Sequence, residues 1–307
     1  MKNSKKFMCI VRVVAGFLLV VVVLACSGCS AKGLQGLPGA PGEDGKDGVD
    51  GKDGYTPVKG VDYFTDEDKA ELLASVGSQS VLAGKKIVYD GDSICIASSG
   101  GGGYPKIIAD TVGGTFVNQA RGGARLRTQK GSTEQFHSIV DNLVNLPTDG
   151  DLYCFEGGIN DYWTYGVLGT YDVADYKGEL DTTTVCGALE TIFRYALEHF
   201  EGKPICFVIT HKIQGTAYAK NPNGNTFKEY RDAMVGICEK YSIPYYDAFS
   251  SSGLNGWNET QNNAFLTGNS NGVPDGCHPN EAGYRRYYVP QLIDLFERIM
   301  PVEESDP

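Results

Sequence analysis

Positive charge and long apolar runs are both scarce in this chain of 307 residues. Its 27 lysine and arginine residues face 38 aspartate and glutamate residues, which gives a formal net charge of −11. Because this excess of negative charge repels the phosphate backbone of nucleic acids, no nucleic-acid partner is expected. The longest apolar run, residues 13–25, is shorter than the ~20 residues that a membrane-spanning helix requires.

Sequence patterns for metal ions and disulfides are also weak. The region from residue 85 to residue 301 has no Cys-x-x-Cys pair, no zinc-type cysteine–histidine cluster and no carboxylate set for two metal ions, so no metal or cofactor is expected. Its even number of cysteines would suit disulfides in a secreted protein. Cys154 and Cys206, however, lie within apolar, strand-like runs, where a thiol acts as a small apolar group. Buried free thiols are therefore the favoured prediction. The six cysteines are Cys95, Cys154, Cys186, Cys206, Cys238 and Cys277.

The N-terminal residues 1–25 resemble a signal peptide, because basic residues precede the apolar run. The run ends in Val-Leu-Ala-Cys at residues 23–26, which resembles a bacterial lipobox. This pattern predicts cleavage before Cys26, lipidation of that cysteine, and a protein tethered to the membrane at the bacterial cell surface. Cys29 is the alternative lipidation site. An uncleaved anchor, or a signal cut elsewhere, is the alternative to a lipoprotein.

Glycine recurs at every third position from residue 33 to residue 54. This period is that of collagen, in which only glycine fits the crowded axis of the triple helix. The pattern predicts a collagen-like stalk over residues 26–60, which could associate as a homotrimer; a flexible glycine-rich spacer is the alternative. Residues 65–68 (Thr-Asp-Glu-Asp) then predict a capped helix start within a linker over residues 61–84.

Strand and helix patterns alternate from residue 85 onward. Apolar runs bounded by turn residues predict strands at 86–90, 115–118, 152–156, 205–210 and 243–249. Apolar residues at helical spacing predict helices around residues 136–143, 189–200 and 292–299. Such alternation produces a parallel sheet with helices on both faces. We therefore expect an α/β domain over residues 85–301, with a three-layer α/β/α sandwich, a five-stranded parallel sheet and a short tail over residues 302–307.

Polar loops follow the predicted strands, where ligands bind in such folds. The first is Gly-Asp-Ser at residues 91–93, and the second contains Arg-Gly-Gly at residues 121–123. The third is Gly-Gly-Ile-Asn-Asp at residues 157–161, and the last, before the terminal helix, is Asp-Gly-Cys-His at residues 275–278. A serine, a histidine and an aspartate at one sheet edge suit nucleophilic catalysis.

Together these loops resemble the four sequence blocks of the SGNH (GDSL) hydrolase superfamily, over roughly residues 85–300. The resemblance implies a flavodoxin-like fold with Ser93 as nucleophile, His278 as general base and Asp275 as the acid that orients the imidazole. It also implies an oxyanion hole made of the backbone N–H groups of Ser93 and Gly123 and the side-chain amide of Asn160.

The chain departs from the family pattern in two places. Ile94 stands where the GDSL motif has leucine, and four glycines at residues 100–103 follow the nucleophile loop. Gly122 is a rival to Gly123 as oxyanion donor. A second serine motif, Gly-Asn-Ser-Asn-Gly at residues 268–272, matches the nucleophile elbow of α/β-hydrolases. Polar residues and a proline flank it, so we interpret it as a loop.

Five further residues are candidates for substrate binding, each with a structural alternative. Arg121 is expected to contact the acyl or leaving group, and His211 to line the pocket unless it forms a structural hydrogen bond. The three residues after Asn160 suit a sugar-binding wall, although aromatic packing explains them equally well; they are Asp161, Tyr162 and Trp163.

The predicted function is hydrolysis of acetyl or other short acyl esters on carbohydrate by a surface-tethered serine esterase. A lipase or lysophospholipase of the same superfamily is one alternative, although no long apolar lid segment is visible. Acyl transfer would use the same residues. An adhesion protein whose hydrolase domain only binds glycans is the alternative from another class. The partners expected are the ester substrate and, through the lipid anchor, the membrane.

Overall fold

The structure is a computed structural model. It describes residues 65–77, 80–97, 101–131 and 136–301. All of these belong to one of the two compact units of the chain, Pro57–Pro307. The predicted signal peptide, the lipidation site Cys26, the collagen-like segment and the C-terminal tail lie outside the described residues.

A central sheet of parallel strands organises the domain. Its strands are β1 (Lys86–Asp90), β2 (Thr115–Asn118), β3 (Leu152–Glu156), β4 (Ile205–Ile209) and β5 (Tyr245–Asp247). The order across the sheet is β2-β1-β3-β4-β5, and every pairing is parallel. β3 and β4 are buried along their whole length, as expected of strands covered on both faces. The predicted five-stranded parallel sheet is confirmed.

Helices occupy the connections between the strands. They are α1 (Asp66–Gly77), α2 (Ser93–Ile96), α3 (Gly103–Val112), α4 (Ile139–Asn142), α5 (Ile159–Trp163), α6 (Val185–His199), α7 (Phe227–Lys240), α8 (Ala248–Ser251), α9 (Glu259–Phe265), α10 (Glu281–Tyr287) and α11 (Val289–Ile299), with a 3₁₀ turn at Leu143–Asn145. Side-chain caps begin the long ones: Thr184 accepts the Gly187 N–H ahead of α6, and Thr226 forms a capping box with Glu229 ahead of α7.

The direction of the crossovers places helices on both faces of the sheet. The connection from β1 to β2 runs one way along the sheet, and those from β3 to β4 and β5 run the other way. Since parallel crossovers are right-handed, α3 lies on one face, and α6 and α7 lie on the other. Ring contacts agree: Phe296 of α11 lies 6.2 Å from Tyr89 of β1, and Phe193 of α6 lies 5.8 Å from Phe207 of β4.

Some predicted elements differ from the observed ones. Three strands have the predicted bounds, whereas the last strand shortens to three residues because Asp247 caps α8 through the Ser250 N–H. The helix predicted over residues 136–143 is a single turn, α4, preceded by a bridge between Ser138 and Arg125. Apolar periodicity there reflects burial of Ile139 and Leu143 rather than a long helix.

All six domain cysteines are buried and unpaired, which confirms the prediction of free thiols. Cys154 and Cys206 are partners in adjacent strands and belong to the apolar core. The helix expected near residue 65 is α1, in which the Thr65 hydroxyl accepts the Asp68 N–H at 2.9 Å and the Asp68 carboxylate accepts the Thr65 N–H at 2.7 Å. In the described part of the chain, no helix combines the length and apolarity needed to cross a membrane.

Candidate active site

Ser93 is the first residue of α2, directly beyond the carboxyl end of β1. The Asp92 side chain caps this helix by accepting the Ile94 N–H at 2.8 Å. Gly91 allows the close approach of β1 and β3, because a Cβ atom there would lie 2.9 Å from Glu156 Oε2. The Gly-Asp-Ser triplet therefore packs tightly on β3 and presents its serine at the carboxyl edge of the sheet.

The loop before α10 brings a histidine to this serine. His278 Nε2 lies 3.0 Å from Ser93 Oγ, although 185 positions separate the two residues in the chain. On the other side of the ring, His278 Nδ1 lies 2.6 Å from Asp275 Oδ2. With Nδ1 protonated toward the carboxylate, Nε2 can accept the serine proton, which is the geometry of a hydrolase triad.

Hydrogen bonds fix the Asp275 carboxylate in place. Oδ1 accepts the backbone N–H groups of Cys277 and His278, both at 2.9 Å, and Oδ2 also accepts from Asn269 Nδ2 at 2.8 Å. Partial burial acts to raise the pKa of Asp275, but the hydrogen bonds from His278, Asn269 and Cys277 outweigh it and hold the pKa below its ordinary value. Asp275 therefore stays ionised beside the imidazole.

Three N–H donors of the predicted oxyanion hole occupy the same sheet edge. Gly123 lies in an exposed turn after β2 with φ of 77°, a left-handed conformation that glycine adopts without strain. Asn160 lies in the first turn of α5, and its Nδ2 donates one hydrogen bond to Asp92 Oδ2 at 3.0 Å. Its second N–H remains for another acceptor. Among the described residues, none accepts a hydrogen bond from the backbone N–H of Ser93 or Gly123.

Metal coordination is not apparent in this part of the molecule. Across the described residues, no group of three or more histidine, cysteine, aspartate or glutamate side chains is arranged to hold a metal ion. The side chains assembled here suit acid–base and nucleophilic chemistry on an acyl group.

A comparison with known families identifies the group to which this geometry corresponds. The model of the GDSL-like Lipase/Acylhydrolase family matches residues 91–286, more than half of the chain. The chain belongs to this GDSL-like family. The match contains Ser93, Asn160, Asp275 and His278. No curated protein matches the chain.

Solved structures with low sequence identity share the GDSL-like fold. A protein from Lactobacillus plantarum is 22% identical with a TM-score of 0.54, and the match covers 70% of this chain and 95% of that one. A protein from Chitinophaga pinensis described as a possible lipase is 18% identical with a TM-score of 0.53, covering 70% and 98%. At these identities the similarity establishes the fold and not the substrate.

Asp161 and Tyr162 of the GDSL-like domain were expected to bind substrate, but both are buried. Asp161 is fully buried, and its carboxylate accepts the backbone N–H of Leu126 at 2.9 Å and lies 3.3 Å from Arg127 Nε. It therefore fastens the loop that follows Gly123 to the helix that carries Asn160. Tyr162 is also buried, and its hydroxyl donates to the Ala219 carbonyl at 2.8 Å.

The other expected substrate contacts divide between the surface and the core. Arg121 is exposed beside the predicted oxyanion loop, and Trp163 is 37% exposed. His211 is fully buried, and its Nδ1 lies 2.7 Å from the Tyr288 hydroxyl. Burial, reinforced by the nearby charge of His278, lowers the pKa of His211 to about 3, so its ring is neutral. For His211 the structural alternative is the observed one.

Sequence reasoning missed the polar layer beneath the site. Glu156 ends β3 and is fully buried; it accepts hydrogen bonds from the Asp92 N–H and the Thr210 hydroxyl, each at 3.0 Å. Asp90 ends β1 and lies 3.0 Å from His137 Nε2. An acidic residue that ends an apolar run was the available signal, and both strands carry one.

Two exposed aromatic residues in the loops that follow β4 and β5 were also missed. Tyr218 follows β4 and is 57% exposed, and Trp257 follows β5 and is 56% exposed. Trp257 is held near the histidine loop because Gly256 packs against the Gly276 carbonyl, where a Cβ atom would lie only 2.3 Å from the oxygen. No spacing rule in the sequence links these loops to the site.

Proposed function

We propose that this member of the GDSL-like family is a serine esterase that hydrolyses acetyl or other short acyl esters on carbohydrate. The hydrogen-bonded series from Ser93 Oγ through His278 to Asp275 supports the proposal most directly, with distances of 3.0 and 2.6 Å. The His278 side chain is 19% exposed, so water can reach this series for the hydrolytic step.

The proposed reaction proceeds through an acyl-enzyme. Ser93 Oγ attacks the acyl carbonyl carbon while His278 Nε2 takes its proton, and Asp275 stabilises the imidazolium. The N–H groups of Ser93, Gly123 and Asn160 bind the oxyanion. As the tetrahedral intermediate collapses, His278 returns the proton to the leaving alcohol. A water molecule then attacks the acyl carbonyl carbon while His278 Nε2 takes its proton. As the bond from this carbon to Ser93 Oγ breaks, His278 returns that proton to Oγ, and the carboxylic acid departs.

The preference for a carbohydrate substrate rests on exposed aromatic residues in the segments that follow the strands. Trp163, Tyr218 and Trp257 follow three different strands at the carboxyl edge of the sheet, and each is exposed by more than a third. Aromatic rings combine an apolar face with a polar edge, which suits stacking on a sugar ring with hydrogen bonds around it. Arg121 is a further candidate contact for the leaving group.

The proposed setting is the bacterial cell surface. A lipid on Cys26 would tether the enzyme to the membrane, and the glycine-repeat segment would hold the domain away from it. Association of that segment into a collagen-like trimer would present three domains together. Mass spectrometry of the mature N-terminus would identify the lipidated cysteine, and unmodified Cys26 would contradict the tether at that residue.

Hydrolysis of p-nitrophenyl acetate by the full chain tests the enzymatic proposal. Ser93→Ala should lower kcat about 10⁴-fold or more, because the nucleophile is removed. Ser270→Ala is the matched control: this exposed serine lies in the loop at residues 268–272, which only resembles a nucleophile elbow, and its turnover should equal that of the wild type.

Two other outcomes would change the assignment. Equal turnover by wild type and Ser93→Ala would remove the esterase proposal and favour a glycan-binding adhesion protein. A series of esters from acetate to long acyl chains separates an acetylesterase, whose kcat/KM falls with chain length, from a lipase, whose kcat/KM rises. Acetate release from acetylated xylan and other acetylated glycans then identifies the leaving group.

A further inference from the structure

Two carboxyl groups lie in contact beneath the nucleophile. Asp92 and Glu156 are both fully buried, at 0% exposure. The Asp92 N–H donates to Glu156 Oε2 at 3.0 Å, which holds the Glu156 carboxyl group against the residue that carries the Asp92 carboxyl group. They belong to neighbouring strands, since Asp92 follows β1 and Glu156 ends β3. Asp92 directly precedes Ser93 in the chain.

No cation neutralises this pair in the described part of the chain. The other buried carboxyl groups each have a basic partner: Asp90 with His137, Asp161 with Arg127, and Glu190 with Lys240. Neither Asp92 nor Glu156 forms an ion pair with a described lysine or arginine. Their hydrogen-bond donors are neutral groups.

The titratable groups around the pair are also uncharged, with one exception. Burial raises the pKa of every neighbouring thiol and phenol well above its ordinary value; these groups are Cys95, Cys154, Cys277, Tyr104, Tyr284 and Tyr288. The exception is the imidazole of His278, which attracts the charge of Asp92 when protonated. When His278 is neutral, a proton bound to one of the two carboxyl groups must therefore reduce the charge of the pair.

Two adjacent buried carboxylates cannot both be ionised at neutral pH, because each charge loses hydration and repels the other. Each carboxyl group accepts two hydrogen bonds, but both donors to Asp92 are N–H groups, Ile94 N–H at 2.8 Å and Asn160 Nδ2 at 3.0 Å. One of the two donors to Glu156 is the Thr210 hydroxyl, which can also accept a hydrogen bond from a protonated carboxyl group, so Asp92 is the better place for the charge. Burial, and then the neighbouring charge of Asp92, raise the pKa of Glu156 well above its ordinary value.

We propose that Glu156 is a protonated acid that donates a hydrogen bond to the Asp92 carboxylate, so that the pair holds a single negative charge and positions the oxyanion donor Asn160. One hydrogen of the Asn160 amide points to Asp92, which directs the other away from the pair. The same charge attracts the imidazolium that His278 becomes during catalysis. This catalytic consequence rests on the proposed esterase function, whereas the shared proton does not.

Infrared spectroscopy of the full chain in neutral D₂O tests the shared proton directly. The wild type should show a C=O stretching band of a protonated carboxyl group, and Glu156→Gln should lack it. Asp161→Asn is the matched control, because Asp161 is equally buried but is paired with Arg127, and this variant should retain the band. Circular dichroism checks that both variants are folded.

Absence of the band from the wild type at neutral pH would overturn the proposal, even if the variants failed to fold. So would loss of the band in Asp161→Asn together with its persistence in Glu156→Gln. Neither result depends on ester turnover. Failure of the esterase proposal, seen as unchanged turnover by Ser93→Ala, is therefore a separate outcome.

Kinetics distinguish positioning from a merely structural contribution. Glu156→Gln should retain kcat within about threefold, because the amide still donates to Asp92, whereas Glu156→Leu should lower kcat about tenfold or more with KM little changed. Wild-type kcat should fall at alkaline pH as Glu156 ionises, and Glu156→Gln should not show this fall. Identical alkaline limbs in the two proteins would contradict the positioning role.

Discussion

The serine side and the histidine side of the candidate site differ in burial and in the contacts that hold them. On the serine side, Asp92 and Glu156 are fully buried, and hydrogen bonds from the Asp92 N–H to Glu156 and from Asn160 to Asp92 link neighbouring strands and the helix that follows β3. On the histidine side, Asp275 and His278 are 26% and 19% exposed, and an asparagine-rich loop holds them. The serine side is thus fixed by the sheet, and the histidine side depends on local loop contacts.

This difference indicates where the site tolerates change. Substitutions beneath the serine remove support that nothing else supplies, because a buried polar group without its partner loses its hydrogen bond and gains no water. Substitutions around the histidine leave room for water to replace a lost donor. Effects on catalysis should therefore be larger on the serine side.

The largest of these effects is expected at Asn160. Asn160→Ala removes a predicted oxyanion donor and leaves Asp92 without one of its hydrogen bonds, so kcat should fall about 10²–10³-fold. Steady-state kinetics with p-nitrophenyl acetate would measure it. Asn145→Ala, at an exposed asparagine of the 3₁₀ turn, is the control and should not change kcat. A rise in KM alone for Asn160→Ala would mean that its amide binds the ground state and the transition state equally, which would contradict its role as an oxyanion donor.

A smaller effect, on stability, is expected from protonation of the buried His211. The pKa of His211 is lowered from 6.5 to about 3, so the unfolded chain binds a proton at a higher pH than the folded one. The free energy of unfolding is therefore unaffected above about pH 6.5 and should fall by a few kcal/mol as the pH drops toward 3. Denaturant unfolding at several pH values would measure this slope.

Variants at two histidines test the source of that slope. His211→Asn should flatten it, even if it lowers stability at neutral pH by losing packing. His199→Gln, at the exposed end of α6, should keep the wild-type slope. An unchanged slope in His211→Asn would attribute the acid sensitivity to other groups.

The smallest effect is expected on the exposed side, at Asn269. Asn269→Ala removes one donor to Asp275 Oδ2, but the backbone N–H groups of Cys277 and His278 remain, so kcat should fall only about threefold to tenfold. Asn271→Ala, in the same loop with an exposed side chain, serves as control. A fall in kcat as large as that of Asn160→Ala would contradict the expected difference between the serine side and the histidine side.

The sheet and the polar loops were predictable because both are local signals. Three strands had the predicted bounds, since apolar runs of four or five residues bounded by turns admit little shift. Helix α3 was not predicted, because it begins at Gly103 within a glycine run that usually marks a loop. Helix α7 was missed although it carries buried residues at helical spacing.

The supporting layer could not be predicted, because its contacts join distant parts of the chain. Glu156 meets Asp92 across 64 positions, and Asp161 meets Leu126 across 35. Asp161 follows the predicted oxyanion asparagine, but successive residues of a helix point in different directions, so adjacency did not predict a shared role. The pattern of apolar residues in the sequence also could not predict that the His211 side chain is buried against Tyr288.

The burial of every described cysteine has a consequence for how the folded domain responds to oxidants. Because Cys95, Cys277 and the other thiols lie in the interior with no partner, no covalent cross-link is needed to complete this part of the fold. Oxidoreductases and glutathione would find no sulfur at its surface to act upon. Once folded, the domain should keep these thiols reduced in a reducing and in an oxygenated medium alike.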